Sequence, residues 1–153
     1  MFGRKGFTII ELLIVIAVIA ILVGIALPRF KGMQDEGRIA QAKGELRTLQ
    51  SAVESYYIHQ SSVYPSALSL LTGATITPNL LGSTLPTDPF NGTNNYGYAV
   101  DAAAPNIKYY AIYSIGPGTG GSVSSVETNG LVHETNGSSC IFVANGSTRD
   151  TQP

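Results

Sequence analysis

The stretch that decides the fold runs from Gly6 to Leu27 and reads GFTIIELLIVIAVIAILVGIAL. Between Phe7 and Leu27 only Glu11 is charged, and from Leu12 onwards the stretch has no polar side chain. As an α-helix, the 21 residues from Phe7 to Leu27 would be roughly 31 Å long. That length is enough to cross the hydrocarbon core of a bilayer.

Two basic residues, Arg4 and Lys5, precede this stretch and predict a cytoplasmic N-terminus, with the rest of the chain outside the cytoplasm. Two common classes of apolar segment fit it incompletely. A secretory signal peptide would explain a small-residue pattern at 24–26, but the run is long and Glu11 interrupts it. A plain membrane anchor leaves Glu11 unexplained, because an acidic side chain inside a bilayer is costly and usually has a partner.

A third interpretation supplies that partner. If the chain is cut between Gly6 and Phe7, Phe7 gains a free α-amine and Glu11 becomes the fifth residue of the product. The carboxylate of Glu11 could then pair with the amine of a neighbouring copy packed helix to helix. Such a pair would satisfy both charges and set the stagger between the two copies.

The segment from Gly6 to Ile16 resembles the class III leader junction of type IV pilins and type II secretion pseudopilins. The resemblance implies that a prepilin peptidase cleaves after Gly6 and N-methylates Phe7. Removal of six residues from 153 would leave a mature chain of 147. The acid that matches Glu11 guides filament assembly in this family.

Beyond Pro28 the chain becomes polar but keeps a helical period. Its apolar residues recur every three or four positions, at Ile39, Ala42, Leu46, Leu49, Val53 and Tyr56. The charged residues between them, Glu45 and Glu54 included, are predicted on the solvated side. No turn signal separates this stripe from the apolar stretch, so one long bent helix is expected. Gly24 and Pro28 weaken it locally, and the resemblance implies a kink and local melting there.

Residues 59–153 have the composition of a loop-rich β domain, with seven charged residues and 11 of the 17 glycines. A short helix capped by Ser66 is expected at 67–71 and a hairpin turn at Asn129-Gly130. The predicted fold is α+β, with the long N-terminal transmembrane and stem helix packed on a small antiparallel sheet. Strands are expected at 96–100, 108–115, 122–128, 131–135 and 140–144.

A turn motif at 85–92, LPTDPFNG, is followed by Tyr96-Gly97-Tyr98 and, at 110–117, by YAIYSIGP. Together they resemble the major pseudopilins of type II secretion, in a pilin-like fold. The residues that match the family's turn are Asp88, Pro89, Phe90 and Gly92.

Two departures from that pattern matter. The family's structural calcium is implied, but 118–121 reads GTGG where its usual acidic ligand would stand, so we assign no metal site. The added tail at 122–153 leaves open which filament system uses the chain.

The composition argues against several other classes of protein. The net charge of −1 lacks the basic excess of a nucleic-acid binder, and the single cysteine excludes an intramolecular disulfide framework. His59 and His133 stand alone, and neither a P-loop nor a nucleophile motif is present. We therefore predict no catalytic residue, no cofactor and no enzymatic activity.

The sequence thus predicts four parts: a leader at 1–6, a hydrophobic transmembrane and filament-core helix at 7–28, an amphipathic stem at 29–58 and an extracytoplasmic head at 59–153. The expected function is that of a type II secretion pseudopilus subunit in the inner membrane, which polymerises with itself into a periplasmic or extracellular filament. The implied partners are the prepilin peptidase, minor pilins or pseudopilins, and the inner-membrane platform with its ATPase. The alternatives are a type IV pilin and a membrane-tethered domain that never polymerises.

Overall fold

The structure is a computed structural model that describes residues 6–73, 81–102, 106–118, 120–135, 140–146 and 148–150, the last three by their backbone. Arg4, Lys5 and the rest of the leader before Gly6 lie outside the described residues. The chain divides into two compact units, Met1–Gly37 and Arg38–Pro153, and a single helix assignment, α1 at Ile9–His59, runs through both.

In the first unit, helix α1 is apolar on every side up to Leu27, and none of this apolar surface is buried. Every large apolar side chain from Phe7 to Met33 is exposed, and Phe7 is 84% exposed. By length and composition this helix could cross a membrane. A surface that is apolar all round needs lipid or other protein to cover it, since water does not stabilise it.

In the second unit, the helix is amphipathic and one face is buried. Five of its residues form this buried face: Ala42, Leu46, Leu49, Ala52 and Val53. They pack with Leu68, Leu71, Tyr96, Tyr110 and Ile112 of the head. The predicted apolar stripe is therefore confirmed over its central part, whereas Ile39 and Tyr56 at its two ends are half-buried.

The head contains six strands in two three-stranded sheets. The first sheet has the order β1–β2–β5, all antiparallel, with β1 at Gly97–Val100, β2 at Tyr110–Ser114 and β5 at Ile141–Ala144. The second has the order β3–β4–β6, with β3 at Ser122–Val126, β4 at Leu131–Thr135 and β6 at Thr148–Asp150. Strands β3 and β4 are antiparallel, and β4 and β6 are parallel.

The α+β fold class is confirmed, with the small antiparallel sheet β1–β2–β5 packed on the helix, but the second sheet and its parallel β4–β6 pair were not predicted. The reason lies in β2, which is apolar on both faces. Tyr110 and Ile112 join the cluster around the helix, while Ala111 joins a second cluster with Val123 and Val126 of β3. Because both faces of β2 need cover, the helix packs on one face and residues of the second sheet pack on the other.

Two local predictions had different outcomes. The hairpin at Asn129-Gly130 is confirmed, and Gly130 has a φ of +88° and donates its N–H to the carbonyl of Glu127 at 2.9 Å. The Ser66 cap was wrong. The short helix is a 3₁₀ turn at Leu68–Leu71 that begins one residue later than expected, so Ala67 takes the cap position and makes no side-chain hydrogen bond.

Tyrosines join the head to the helix. The hydroxyl of Tyr96 donates to Glu45 at 2.7 Å, and the hydroxyls of Tyr110 and Tyr64 donate to Glu54 at 2.6 and 3.1 Å. The expectation that both glutamates lie on the solvated side was therefore wrong: each is half-buried, because its side chain reaches a tyrosine hydroxyl. Hydrogen bonds to a charged acceptor are stronger than neutral ones.

Five tyrosines of the head predict that the folded protein loses stability at alkaline pH. Because folding keeps the phenols protonated, the folded chain holds protons that the unfolded chain loses above about pH 10. The free energy of unfolding should therefore be constant up to that pH and fall as the pH rises further. Burial is the main cause, and it raises the pKa of Tyr64, Tyr96, Tyr98, Tyr110 and Tyr113.

The measurement is the midpoint of thermal unfolding of the full chain in detergent, followed by near-UV circular dichroism between pH 8 and 11. Tyr98→Phe is the control, because it removes one buried phenol and loses a single hydrogen bond to the carbonyl of Pro65. Its midpoint should fall less steeply with pH than that of the unaltered chain. A midpoint that stays constant to pH 11 would contradict the account.

Gly97→Ala should destabilise the head. Gly97 lies opposite Tyr113 in the β1–β2 register, and a Cβ at Gly97 would overlap the Tyr113 ring. Overpacking of this kind typically costs about 1–3 kcal/mol, measured here by denaturant unfolding. Gly44→Ala is a matched control, since its Cβ would meet no described atom within 4 Å beyond its chain neighbours and its own helix backbone, and alanine favours a helix. Equal stability of Gly97→Ala and the unaltered chain would show that the ring moves aside freely.

Candidate assembly helix and head turn

The predicted cleavage bond lies just before the helix. Gly6, Phe7 and Thr8 are non-helical and exposed, and helix α1 begins at Ile9. Apart from its neighbours in the chain, no described residue has an atom within 4 Å of the position that a Cβ on Gly6 would take. A peptide bond in this setting is sterically open to a peptidase, as cleavage between Gly6 and Phe7 requires. Cleavage and N-methylation remain predictions.

Glu11, the predicted assembly residue, closes the start of the helix. The amide and the hydroxyl of Thr8 both donate to Glu11 Oε2, at 3.0 and 2.7 Å, and the Glu11 amide donates to Thr8 Oγ1 at 3.3 Å. This reciprocal pair is a capping box, which satisfies amide groups that a helix start leaves without partners. The role of Thr8 was not predicted, although the Thr-x-x-Glu spacing is the sequence signal for it.

The cap leaves Glu11 able to accept another donor. Both Thr8 contacts go to Oε2, and within the described residues no hydrogen bond reaches Oε1. The negative charge also lies at the positive end of the helix dipole, which favours the ionised carboxylate. In chemical terms Glu11 is therefore a helix cap that can also accept an ammonium group from another molecule.

Gly24 and Pro28 mark the weakest point of the apolar helix. Pro28 has no amide hydrogen, so it cannot donate to the carbonyl of Gly24 four residues earlier. The helix assignment nonetheless continues through both residues. A kink or local melting at this point remains a prediction, with the unpaired carbonyl as its physical basis.

In the head, the 85–92 motif forms a turn built around Asp88. The Asp88 amide donates to the carbonyl of Asn94 at 3.0 Å, and Asp88 Oδ1 accepts the amide of Phe90 at 2.9 Å. Pro89 stands between these two residues, and Gly92 has a φ of +65°, a conformation that favours glycine. The half-buried ring of Phe90 packs against the cluster around the helix.

The same carboxylate holds the turn to the end of β2. Asp88 is 1% exposed, and it accepts the hydroxyl of Ser114 at Oδ1 (2.7 Å) and the amide of Ile115 at Oδ2 (3.0 Å). The amide of Gly116 donates in turn to Ser114 Oγ at 3.2 Å. A buried carboxylate with three donors rigidifies the segments it joins, so the motif braces the head.

Among the described residues, no three His, Cys, Asp or Glu side chains lie close enough to hold a metal ion. Gly116 and Gly120 have φ values of +71° and +98°, a backbone conformation that favours glycine. His59 Nδ1 lies 2.7 Å from the carbonyl of Ser55, and His133 Nε2 lies 2.7 Å from Glu127 Oε1. The absence of a cofactor remains a prediction.

Two family models match the chain. The prokaryotic N-terminal methylation motif matches residues 1–27, and the type II secretion system (T2SS) protein G model matches residues 29–129. The first ends one residue before Pro28 and the second begins one residue after it. The second contains the Asp88 turn and the whole β1–β2 pair.

Relatives of known kind come from two filament systems. The chain is 28% identical over 125 residues to the type II secretion system core protein G of Pseudomonas aeruginosa, covering 74% of this chain and 83% of that protein. It is 32% identical over 106 residues to the type IV major fimbrial protein FimA of Dichelobacter nodosus, covering 67% and 68%. It is 36% identical over 101 residues to the type IV major pilin protein PilA of Myxococcus xanthus, covering 66% of this chain.

The chain spans only about two fifths of the length of some relatives. It covers 39% of the Myxococcus pilin and 42% of a fimbrial protein of Pseudomonas aeruginosa. No solved structure is significantly similar to the chain. The methylation motif, the protein G domain and the long apolar helix ahead of a small β domain all agree. The chain therefore belongs to the type IV pilin-like superfamily and carries the type II secretion system protein G domain.

Proposed function

We propose that the protein is a structural subunit of a type II secretion pseudopilus, in which copies polymerise through helix α1 into a piston-like filament for protein export. The observation that carries this proposal is the protein G match over residues 29–129, which includes the Asp88 turn. The relative with the greatest cover of both chains among those described above is also a core protein G.

Polymerisation is supported by the surface of the first unit. A helix whose apolar side chains are exposed on every side needs cover along its whole apolar length. Lipid supplies that cover while the subunit waits in the inner membrane, with its N-terminus in the cytoplasm and its head outside. Once the subunit has left the membrane, the helices of other copies are the cover of matching length and composition.

Proteolytic processing prepares helix α1 to leave the lipid and pack against the helices of other copies. A prepilin peptidase removes the leader at 1–6 and methylates Phe7, and the new amine pairs with Glu11 of a neighbouring copy. A cytoplasmic ATPase and its membrane platform drive assembly, and minor pilins or pseudopilins join the filament. The subunit itself catalyses no reaction.

A type IV pilin is the second candidate function, and a specific observation favours it: FimA and PilA, each more identical to this chain than the core protein G is, are type IV pilins. Deletion of the gene in the organism that encodes it separates the two. Loss of exported enzymes with normal surface twitching supports a pseudopilin. Normal export with loss of twitching, adhesion or DNA uptake supports a pilin.

A further inference from the structure

A compact group of charges follows the apolar part of helix α1 directly. Arg29, Lys31, Asp35 and Glu36 lie within eight consecutive residues and carry two positive and two negative charges. All four side chains are exposed, and within the described part of the chain none of them takes part in an ion pair. The group is neutral as a whole, with both bases preceding both acids along the helix.

The helical period sorts these charges by face. Arg29 follows Glu11 by 18 residues, which is about five full turns at 3.6 residues per turn. Glu36 follows Arg29 by seven residues, about two turns, so Glu11, Arg29 and Glu36 share one face of the continuous helix seen in the structure. Lys31 and Asp35 lie on the opposite face. One face of the helix thus carries the predicted assembly residue Glu11 and, further along, Arg29 followed by Glu36.

We propose that Arg29 of one copy forms an ion pair with Glu36 of a neighbouring copy, and that this pair fixes the stagger of the filament together with Glu11. This inference rests on the proposed function. To bring the Phe7 amine of one copy to Glu11 of the next, the two parallel helices must shift by four residues, about 6 Å. To bring Arg29 to Glu36, they shift by seven residues, about 10.5 Å, in the same direction.

The two shifts differ by about 4.5 Å, and one displacement suits both, because the arginine side chain and the non-helical residues before Ile9 each reach several ångströms beyond a helical position. Without any shift, Arg29 would face Arg29 and Glu36 would face Glu36, so that like charges would meet. The occupant is therefore a second copy in parallel orientation, and the electrostatic complementarity selects its register. Close helix packing also requires such a pair, because a charge buried against an apolar neighbour without a partner is costly.

Charge reversal tests the proposal in cells that make filaments of the unaltered chain. Arg29→Glu and Glu36→Arg, each alone, should reduce sheared filaments roughly tenfold or more with normal amounts of subunit in the membrane, since like charges then meet. The double variant Arg29→Glu/Glu36→Arg should restore most of the filaments. Full assembly of both single variants, or no recovery in the double variant, overturns the proposal.

Cysteine cross-linking measures the contact itself. Cys140 is the chain's one cysteine, so Cys140→Ser supplies a background without thiols. Arg29→Cys and Glu36→Cys in one chain cannot form an internal disulfide, because about 10.5 Å separates the positions along the helix and a disulfide needs Cα atoms within about 7 Å. Mild oxidation should therefore give a ladder of covalent oligomers with the double variant and only monomer with either single variant.

A double variant that forms filaments but yields no ladder overturns the Arg29–Glu36 contact and leaves the filament function standing. Failure of the unaltered chain to form any filament is a different result, which contradicts the proposed function itself. In the charge-reversal experiment, too, the unaltered chain is the reference, and its failure to form filaments would contradict the proposed function rather than the Arg29–Glu36 pair.

Discussion

Replacement of Glu11 by alanine should abolish filament assembly while the subunit still accumulates in the membrane. The substitution removes the acceptor for the Phe7 amine of the neighbouring copy and leaves that amine without a partner in an apolar helix bundle. The apolar length of the helix is unchanged, so insertion into the membrane should be at least as efficient. The measurement compares sheared filaments with membrane-bound subunit by immunoblot, and filaments should fall below detection.

Thr8→Ala is the informative control, because Glu11 has two separate roles. Within the chain it caps the helix through Thr8, and between copies it is proposed to bind an amine. Thr8→Ala weakens the cap, since alanine is a poor residue at a helix start, but it leaves the carboxylate in place. Filaments should therefore persist. If Thr8→Ala and Glu11→Ala have the same defect, the cap alone explains the requirement for Glu11.

Replacement of Asp88 by alanine should cause the largest loss of stability in the head. The substitution strands the hydroxyl of Ser114 and the amides of Phe90 and Ile115, all of which now donate to the buried carboxylate. A buried donor without a partner costs about 1–3 kcal/mol, so a total of about 3 kcal/mol or more is expected. Denaturant unfolding of the full chain in detergent, followed by near-UV circular dichroism, measures the loss.

Two variants make this result interpretable. Asp88→Asn keeps one oxygen as an acceptor but turns an amide group toward the amide of Ile115, so its stability should be intermediate. Asp35→Ala removes a carboxylate from an exposed position on the helix and should change stability by less than about 0.5 kcal/mol. Equal stability of Asp88→Ala and Asp35→Ala would show that water replaces the carboxylate and that the turn is no brace.

The features that local chemistry dictates could be read from the sequence. An apolar run of this length, an apolar stripe with a period of 3.6 and the short apolar strand that begins at Tyr110 each carry their own signal. The capping box between Thr8 and Glu11 has such a signal as well, the Thr-x-x-Glu spacing, although only a partner from a second copy was predicted for Glu11.

The features that depend on distant residues could not be read in the same way. Glu45 and Glu54 have the polarity of a solvated face, and only the fold reveals the tyrosine hydroxyls, 51 and 56 residues away in the chain, that draw them into the interior. The motif around Asp88 was recognisable by resemblance, but its physical reason, the contact with Ser114 and Ile115, joins positions 26 and 27 residues apart. The division into two sheets follows from long-range packing on both faces of β2.

In the function proposed above, proteolysis prepares this chain for polymerisation through its N-terminal helix. Intact-mass analysis of the subunit in sheared filaments measures whether that cleavage takes place. We expect a chain of 147 residues, 153 minus the six of the leader, that begins at Phe7 and carries one added methyl group. A filament subunit that still begins at Met1, or a chain that begins near Leu27 and has lost its apolar helix, would contradict it.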